Sequence, residues 1–159
     1  MLSRIKQILS IGLILTLSTS SAIAENWPSF RGPNANGITA NKNLPVEWNE
    51  NTNVAWKVKT LGYGHSSPVV WKDQIWMGTA MDEGHSLHAI CYDRTGKLQH
   101  NVELFSVDNL QASNALNSFA SPTPAIENDT VYVYFGTYGV AAIDTSSGKI
   151  RWKRTDINL

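Results

Sequence analysis

The side chains able to do chemistry in this sequence are few, and they fall into small groups. His85 and His88 stand three residues apart, and two imidazoles could share a metal ion. That spacing converges on a helix, but the segment reads as a loop leading into a strand, where positions i and i+3 face opposite sides. The pair is therefore read as turn or surface histidines. His65-Ser66-Ser67 sets a base beside two hydroxyls, the ingredients of an activated nucleophile. Catalytic partners are rarely sequence neighbours, and no third group to orient the imidazole can be named. Ser66 and Ser67 are expected to bond backbone where a strand begins. Asp73, Asp93, Asp129 and Asp144 are scattered, each at a turn, and no acidic group has the spacing of a calcium loop. A single cysteine, Cys91, excludes an internal disulfide and a multi-cysteine metal centre, and reads as a small buried hydrophobe. Lys149, Arg151, Lys153 and Arg154 read as the solvated outer edge of a sheet, which discourages edge pairing. No residue is assigned a catalytic, cofactor-binding or metal-binding role.

The elements that would carry these residues follow from composition and repetition. The chain has 159 residues, with 13 Lys+Arg against 13 Asp+Glu. Arg4 and Lys6 lie in a removable leader, leaving 11 basic against 13 acidic residues. Such a balance offers no electrostatic footprint for nucleic acid and no polybasic membrane patch. Six Trp, five Tyr and four Phe all lie beyond residue 24, with 11 Gly and 6 Pro as punctuation, the composition of a turn-rich β protein.

Residues 1–24 have the three parts of a secretory signal. Arg4 and Lys6 form the basic start, Ile8 to Leu17 the apolar run, and Ala22-Ile23-Ala24 the cleavage pattern. The run is about ten residues, short of the ~20 needed to span a bilayer. Cleavage near Ala24 predicts a soluble periplasmic or extracellular protein without a membrane span. Residues 25–53 read as an extended arm with aromatic anchors, among them Trp27, Phe30 and Trp48.

Beyond the arm the chain repeats itself. Ser67-Pro68-Val69-Val70 matches Thr123-Pro124-Ala125-Ile126 at an offset of 56, and Ile75-Trp76-Met77 matches Val131-Tyr132-Val133 at the same offset. Gly96-Lys97-Leu98 matches Gly148-Lys149-Ile150 at an offset of 52. Self-similarity at this period marks a repeat architecture. Each copy reads as four short strands, at 67–71, 74–80, 86–92 and 97–104, then at 123–127, 130–136, 139–144 and 149–154. Val131 to Phe135 is apolar throughout, as in a strand covered on both faces. The predicted class is all-β, a β-propeller of four-stranded antiparallel blades. A blade spans 67–104, a polar, amide-rich loop 105–120, and a second blade 121–155. Val54 to Lys59 resembles Ile150 to Arg154 and is expected to be an orphan closing strand, with Trp56, His100 and Trp152 in equivalent positions.

Ala142-Ile143-Asp144-Thr145-Ser146-Ser147-Gly148-Lys149-Ile150-Arg151-Trp152 resembles the tryptophan-docking motif of the pyrroloquinoline-quinone (PQQ)-like β-propeller repeat, with Ser147 in the Thr position. The first copy keeps Thr95-Gly96 but carries Asp93 one place late and His100 for Trp, which predicts a weaker interblade contact there. Trp27-Pro28-Ser29-Phe30-Arg31-Gly32-Pro33 is similar to the opening of a group of exported bacterial propeller proteins. The resemblance implies one of two roles. One is a binding or scaffold module of the cell envelope, taking an envelope protein, a peptide or a glycan. The alternative is a quinoprotein alcohol or sugar dehydrogenase, using PQQ and calcium, whose active site lies mostly on further blades. Related alcohol dehydrogenases use a vicinal cysteine pair, which this sequence lacks, so the reading leans toward binding and predicts no cofactor on this chain. About two blades plus one closing strand are present, where a ring usually has six to eight, so the sequence is read as the beginning of a longer protein, an open fragment prone to aggregate alone.

Overall fold

A computed structural model describes residues 25–112, 114 and 116–157. The leader at 1–24 lies outside the described residues. Eight strands follow the arm: β1 (Val69–Trp71), β2 (Gln74–Met81), β3 (Ser86–Asp93), β4 (Leu98–Ser106), β5 (Ala125–Glu127), β6 (Thr130–Tyr134), β7 (Val140–Asp144) and β8 (Ile150–Arg154). They form two antiparallel meanders, β1-β2-β3-β4 and β5-β6-β7-β8. The fold is all-β, two four-stranded sheets packed face to face as adjacent propeller blades are.

Turn chemistry sets the registers. Asn128 and Asp129 both take positive φ (48° and 58°), the left-handed pair that a two-residue hairpin requires. This joins β5 to β6 with Glu127 opposite Thr130. Asn and Asp tolerate that region better than other non-glycine residues, and so the Asn-Asp dipeptide turns here. The β3–β4 and β7–β8 connections share a second device. Each pair carries a register shift just before its turn, between Cys91 and Tyr92 and between Ala142 and Ile143. The bulged residues Gln99 and Arg151 reach back to the turn aspartates, Asp93 at 2.7 Å and Asp144 at 2.6 Å.

The core lies between the sheets. Val69, Trp76, Leu87, Cys91, Leu104 and Phe105 of the first join Ile126, Val131, Val133, Phe135 and Ile143 of the second in one buried cluster. Phe105 meets Phe135 edge to face at 6.1 Å, the arrangement aromatic quadrupoles favour. The strand at Thr130–Tyr134 is not covered on both faces as its uniform apolarity predicts. Val131 and Val133 are buried while Tyr132 and Tyr134 are half-buried on the other side. Both tyrosines tolerate a wet face because the hydroxyl can stay hydrated.

The arm seals an edge. Trp27 exchanges two backbone hydrogen bonds of 2.8 Å with Val70 on β1, and the Pro28 carbonyl accepts from the Ile126 amide of β5 at 2.7 Å. One extended segment therefore caps the inner edges of both sheets. Residues 54–59, read as an orphan closing strand, form no ladder among the described residues. A fourth strand needs a third to bond, and no third strand lies beside this one. Its tryptophan still reaches a blade: Trp56 Nε1 donates to the Arg94 carbonyl at 2.6 Å.

Candidate functional site

The two ends of the sheets differ in construction, and this decides where recognition can occur. At one end the β1–β2, β3–β4, β5–β6 and β7–β8 turns are short. A cleft of about 410 Å³ there is lined by Lys72, Asp73, Asp129, Asp144 and Arg151. Each acid already has a partner. Asp129 takes Lys72 at 2.7 Å and the Trp71 indole at 2.6 Å, and these two donors, Lys72 foremost, hold its carboxyl below the ordinary range. Asp73 pairs with Arg94 at 2.8 Å.

The Asp144 carboxylate accepts from the Ser146 and Ser147 hydroxyls and amides and from Arg151. The Ser146 hydroxyl and Arg151 lead in pushing it far below its usual range. Asp93 is held low first by the Thr95 hydroxyl. It caps the Thr95 and Lys97 amides at 2.8 and 3.1 Å, the same work Asp144 does, in a turn one residue shorter. The apparent displacement of Asp93 in the sequence is a shorter turn, and the cap is intact.

The docking residues also find their turns. Gly96 (φ +83°) and Gly148 (φ +67°) lie under aromatic rings, where an added Cβ would meet Trp56 at 2.9 Å and His100 at 2.5 Å. His100 further stacks on Trp76, centroids 5.4 Å apart and planes 13° apart. The imidazole thus fills the place expected of a tryptophan because Trp76 beneath it supplies the missing bulk.

The other end carries the long β4–β5 connection beside the short β2–β3 and β6–β7 turns. The β2–β3 turn passes through Asp82 and Glu83, both at positive φ (50° and 54°). Lys72, Asn128 and Asp129 adopt the same region in the hairpins of the opposite end, so this backbone conformation is turn chemistry common to both ends. The β4–β5 connection at 107–124 is pinned on both sides. His85 Nδ1–H donates to the Val107 carbonyl at 2.6 Å, and the Ala120 carbonyl accepts from the His65 and Ser66 amides at 3.1 and 2.9 Å. Toward the second sheet, the Gln111 amide donates to the Tyr138 hydroxyl at 2.8 Å and Thr137 donates to the Gln111 side chain at 3.0 Å.

Two adjoining clefts result. One, about 300 Å³, is lined by Tyr63, Ala80, Met81, Asp82, Glu83 and Phe119, together with Gly62, Gly84, Asn117 and Ser118. The other, about 380 Å³, shares Asn117, Ser118 and Phe119 and adds Gln111, Asn114, Thr137 and Tyr138. A third cleft of about 320 Å³ lies apart, between Trp48 and Trp56 of the arm and the segment after it.

The sequence candidates are not brought together. His85 belongs to the loop clamp, whereas His88 lies in β3 and is buried, against the turn or surface position expected for it. Its Nδ1 donates to Asn101 Oδ1 at 2.8 Å, and its Nε2 lies 2.6 Å from Ser86 Oγ. Hydrogen-bonded on both nitrogens, it can sit inside a sheet. His65 takes the Tyr63 hydroxyl at 2.8 Å, while Ser66 Oγ accepts from the Gly78 amide at 3.1 Å. Base and hydroxyl therefore serve different partners. Cys91 is buried, and desolvation pushes its thiol up to about 12. Among the described residues no three His, Cys, Asp or Glu side chains gather as metal ligands. With Asp73, Asp93, Asp129 and Asp144 each committed to a local cap or ion pair, these four carboxylates do not fit a quinone–calcium centre.

No protein-family profile matches this sequence, and no curated protein matches it. Nine chains among solved structures do. One is a europium-containing methanol dehydrogenase, 17% identical with a TM-score of 0.37, the match covering 60% of this chain and 18% of that one. The chain thus spans under a fifth of that enzyme's length.

Proposed function

We propose that this chain is an exported PQQ-like β-propeller repeat protein that acts as a binding or scaffold module in the cell envelope, with its long-connection end as the recognition surface. One observation carries the reading. The acids at the short-turn end are consumed by the turns themselves, whereas the adjoining clefts at the other end present aromatic, amide and acidic groups. Concave, mostly apolar clefts with a few convergent polar groups are where ligands bind. The alternative dehydrogenase reading has no residue set among those described to support it. No helix among the described residues is long and apolar enough to cross a membrane.

The test is a photo-crosslinking residue placed at Tyr63, and at Lys97 as the opposite-end control, in cells producing the full chain. Cross-links to an envelope component from position 63 alone support the reading, and cross-links from neither position overturn it. Dye-linked oxidation of alcohols or aldoses by the full chain with PQQ and calcium would replace it with the quinoprotein alternative. Export is read separately: cell fractionation and N-terminal sequencing should find an envelope or secreted form starting near Glu25.

A further inference from the structure

Beyond a binding role, we infer that Ser86 is an activated nucleophile, with His88 as its base and Asn101 as the positioning residue, that takes the acyl group of small carboxylic esters. The three side chains come from neighbouring strands. Ser86 and His88 are two residues apart on β3 and so share one face of the sheet. Asn101 and Glu103 stand on β4, opposite Ile90 and His88. His88 Nδ1 donates to Asn101 Oδ1 at 2.8 Å, which leaves the Nε2 lone pair facing Ser86 Oγ at 2.6 Å. A hydroxyl in hydrogen-bond reach of a base that a third group orients is the signature of an activated nucleophile. His65 and Ser66 lack it, because they bond different partners.

The protons available select the working arrangement. Ser86 carries one hydroxyl proton and lies near two acceptors, His88 Nε2 at 2.6 Å and Glu103 Oε1 at 3.1 Å, and the nearer imidazole takes it. Glu103 then has a second use. It is the cross-strand partner of His88, and its negative charge favours the imidazolium that forms when the serine gives up its proton. Asn101 holds the ring and Glu103 answers the charge, two tasks that a single aspartate performs in a Ser-His-Asp triad. A register shift between Leu87 and His88 marks a bulge at this point, and bulges re-aim side chains beside active sites.

Access favours the hydroxyl over the base. His88 is 9% exposed, whereas Ser86 is half-buried and Asn101 and Glu103 are exposed. Ser86 borders none of the four clefts described above, so an acyl group reaches it over the open sheet face, and acetyl is of suitable size. Ser86 Oγ adds to the ester carbonyl carbon as Nε2 takes the hydroxyl proton. The bond to the alcohol oxygen breaks, and the alcohol leaves with that proton. Water, activated by the same base, then cleaves the acyl-serine, releases the acid and restores the hydroxyl.

The test is labelling of the full chain with a fluorophosphonate, located by mass spectrometry, alongside hydrolysis of p-nitrophenyl acetate. Phosphonylation at Ser86 alone is expected, with ester hydrolysis that Ser86→Ala abolishes. Asn101→Ala should slow labelling at least about tenfold. Asn101→Asp, which still accepts the Nδ1 proton, should restore it. A network that only holds the strands together would give neither the label nor the rescue. Label absent from Ser86, spread equally over exposed serines, or unaffected by Asn101→Ala overturns the inference. Such a failure with Tyr63 cross-links intact would leave the envelope-binding reading standing.

Discussion

The two sheets share a topology, and their corresponding rows place the bulk differently. In the first, the row across β2, β3 and β4 is Trp76, Cys91 and His100, and in the second it is Tyr132, Ala142 and Trp152. The large ring stands on β2 in one sheet and on β8 in the other. Trp76 is 0% exposed because His100 covers it and the Gly148 turn covers His100 in turn. Trp152 is 43% exposed, its ring tilted at 49° over Tyr132. What the repeat preserves is the turn and its seat. The identity of the ring that fills the seat is free to vary if a neighbour compensates in volume, as tolerant cores allow.

The sharpest way to break this comparison is to remove the inner ring of each row. Trp76→Ala should destabilise by about 3–5 kcal/mol, the cost of a large buried side chain and its cavity. Tyr132→Ala, from a half-buried site, should cost about 1–2 kcal/mol. Urea midpoints measure both, and equal losses would mean the two rows are equivalent.

Next in size is the glycine under the imidazole. Gly148→Ala should cost about 2–3 kcal/mol, combining the left-handed backbone penalty with displacement of His100. In a His100→Ala background only the backbone part, about 1 kcal/mol, should remain. A double-mutant cycle showing no coupling would mean that His100 does not press on the turn.

Acid sensitivity should follow the turn carboxylates. Asp144 and Asp93 are held low in the folded chain, so their stabilisation is present above the unfolded value near ~3.9 and is lost as pH falls below it. Asp144→Asn should lower the urea midpoint at pH 7, and the gap to the parent should narrow steadily as pH falls below the unfolded value near ~3.9. Asp93→Asn should do the same to a smaller extent, since Gln99 replaces Arg151 as the reaching partner. Parallel curves would remove the carboxylates as the cause.

The smallest change is Cys91→Ala, which makes the first row resemble the second and should cost about 1 kcal/mol or less. With the thiol pushed up to about 12 and buried, alkylation of native Cys91 at pH 8 should proceed only at the rate of opening. Rapid modification of the folded chain would contradict the buried row.

Much of this was legible because strands and turns are local. The repeat offsets of 56 and 52, the Asn128-Asp129 hairpin and the glycine turns are all encoded within short windows. The strand ladders lie within two residues of the spans those windows predict. What escaped depends on partners distant in sequence. Asp93 looked misplaced because a turn shortened by one residue shifts the alignment while leaving the carboxylate over the same amides. His100 looked like a weakened seat because the stacking of Trp76 beneath it is a cross-strand fact. The cleft of about 300 Å³ is assembled from Tyr63, the Asp82–Gly84 turn and the 117–119 stretch, three segments with no periodic signature to link them.

The arm that bonds both inner edges has a kinetic consequence. Its two contacts join Trp27 to Val70 and Pro28 to Ile126, so the second closes nearly the longest loop in the described chain. Loop closure is paid for before such contacts reward it, and pairings of high sequence separation form late. The arm residues are therefore among the last to lock, after both meanders have formed. Until they do, β1 and β5 present open hydrogen-bonding edges, and the nascent chain is most exposed to wrong partners during that interval.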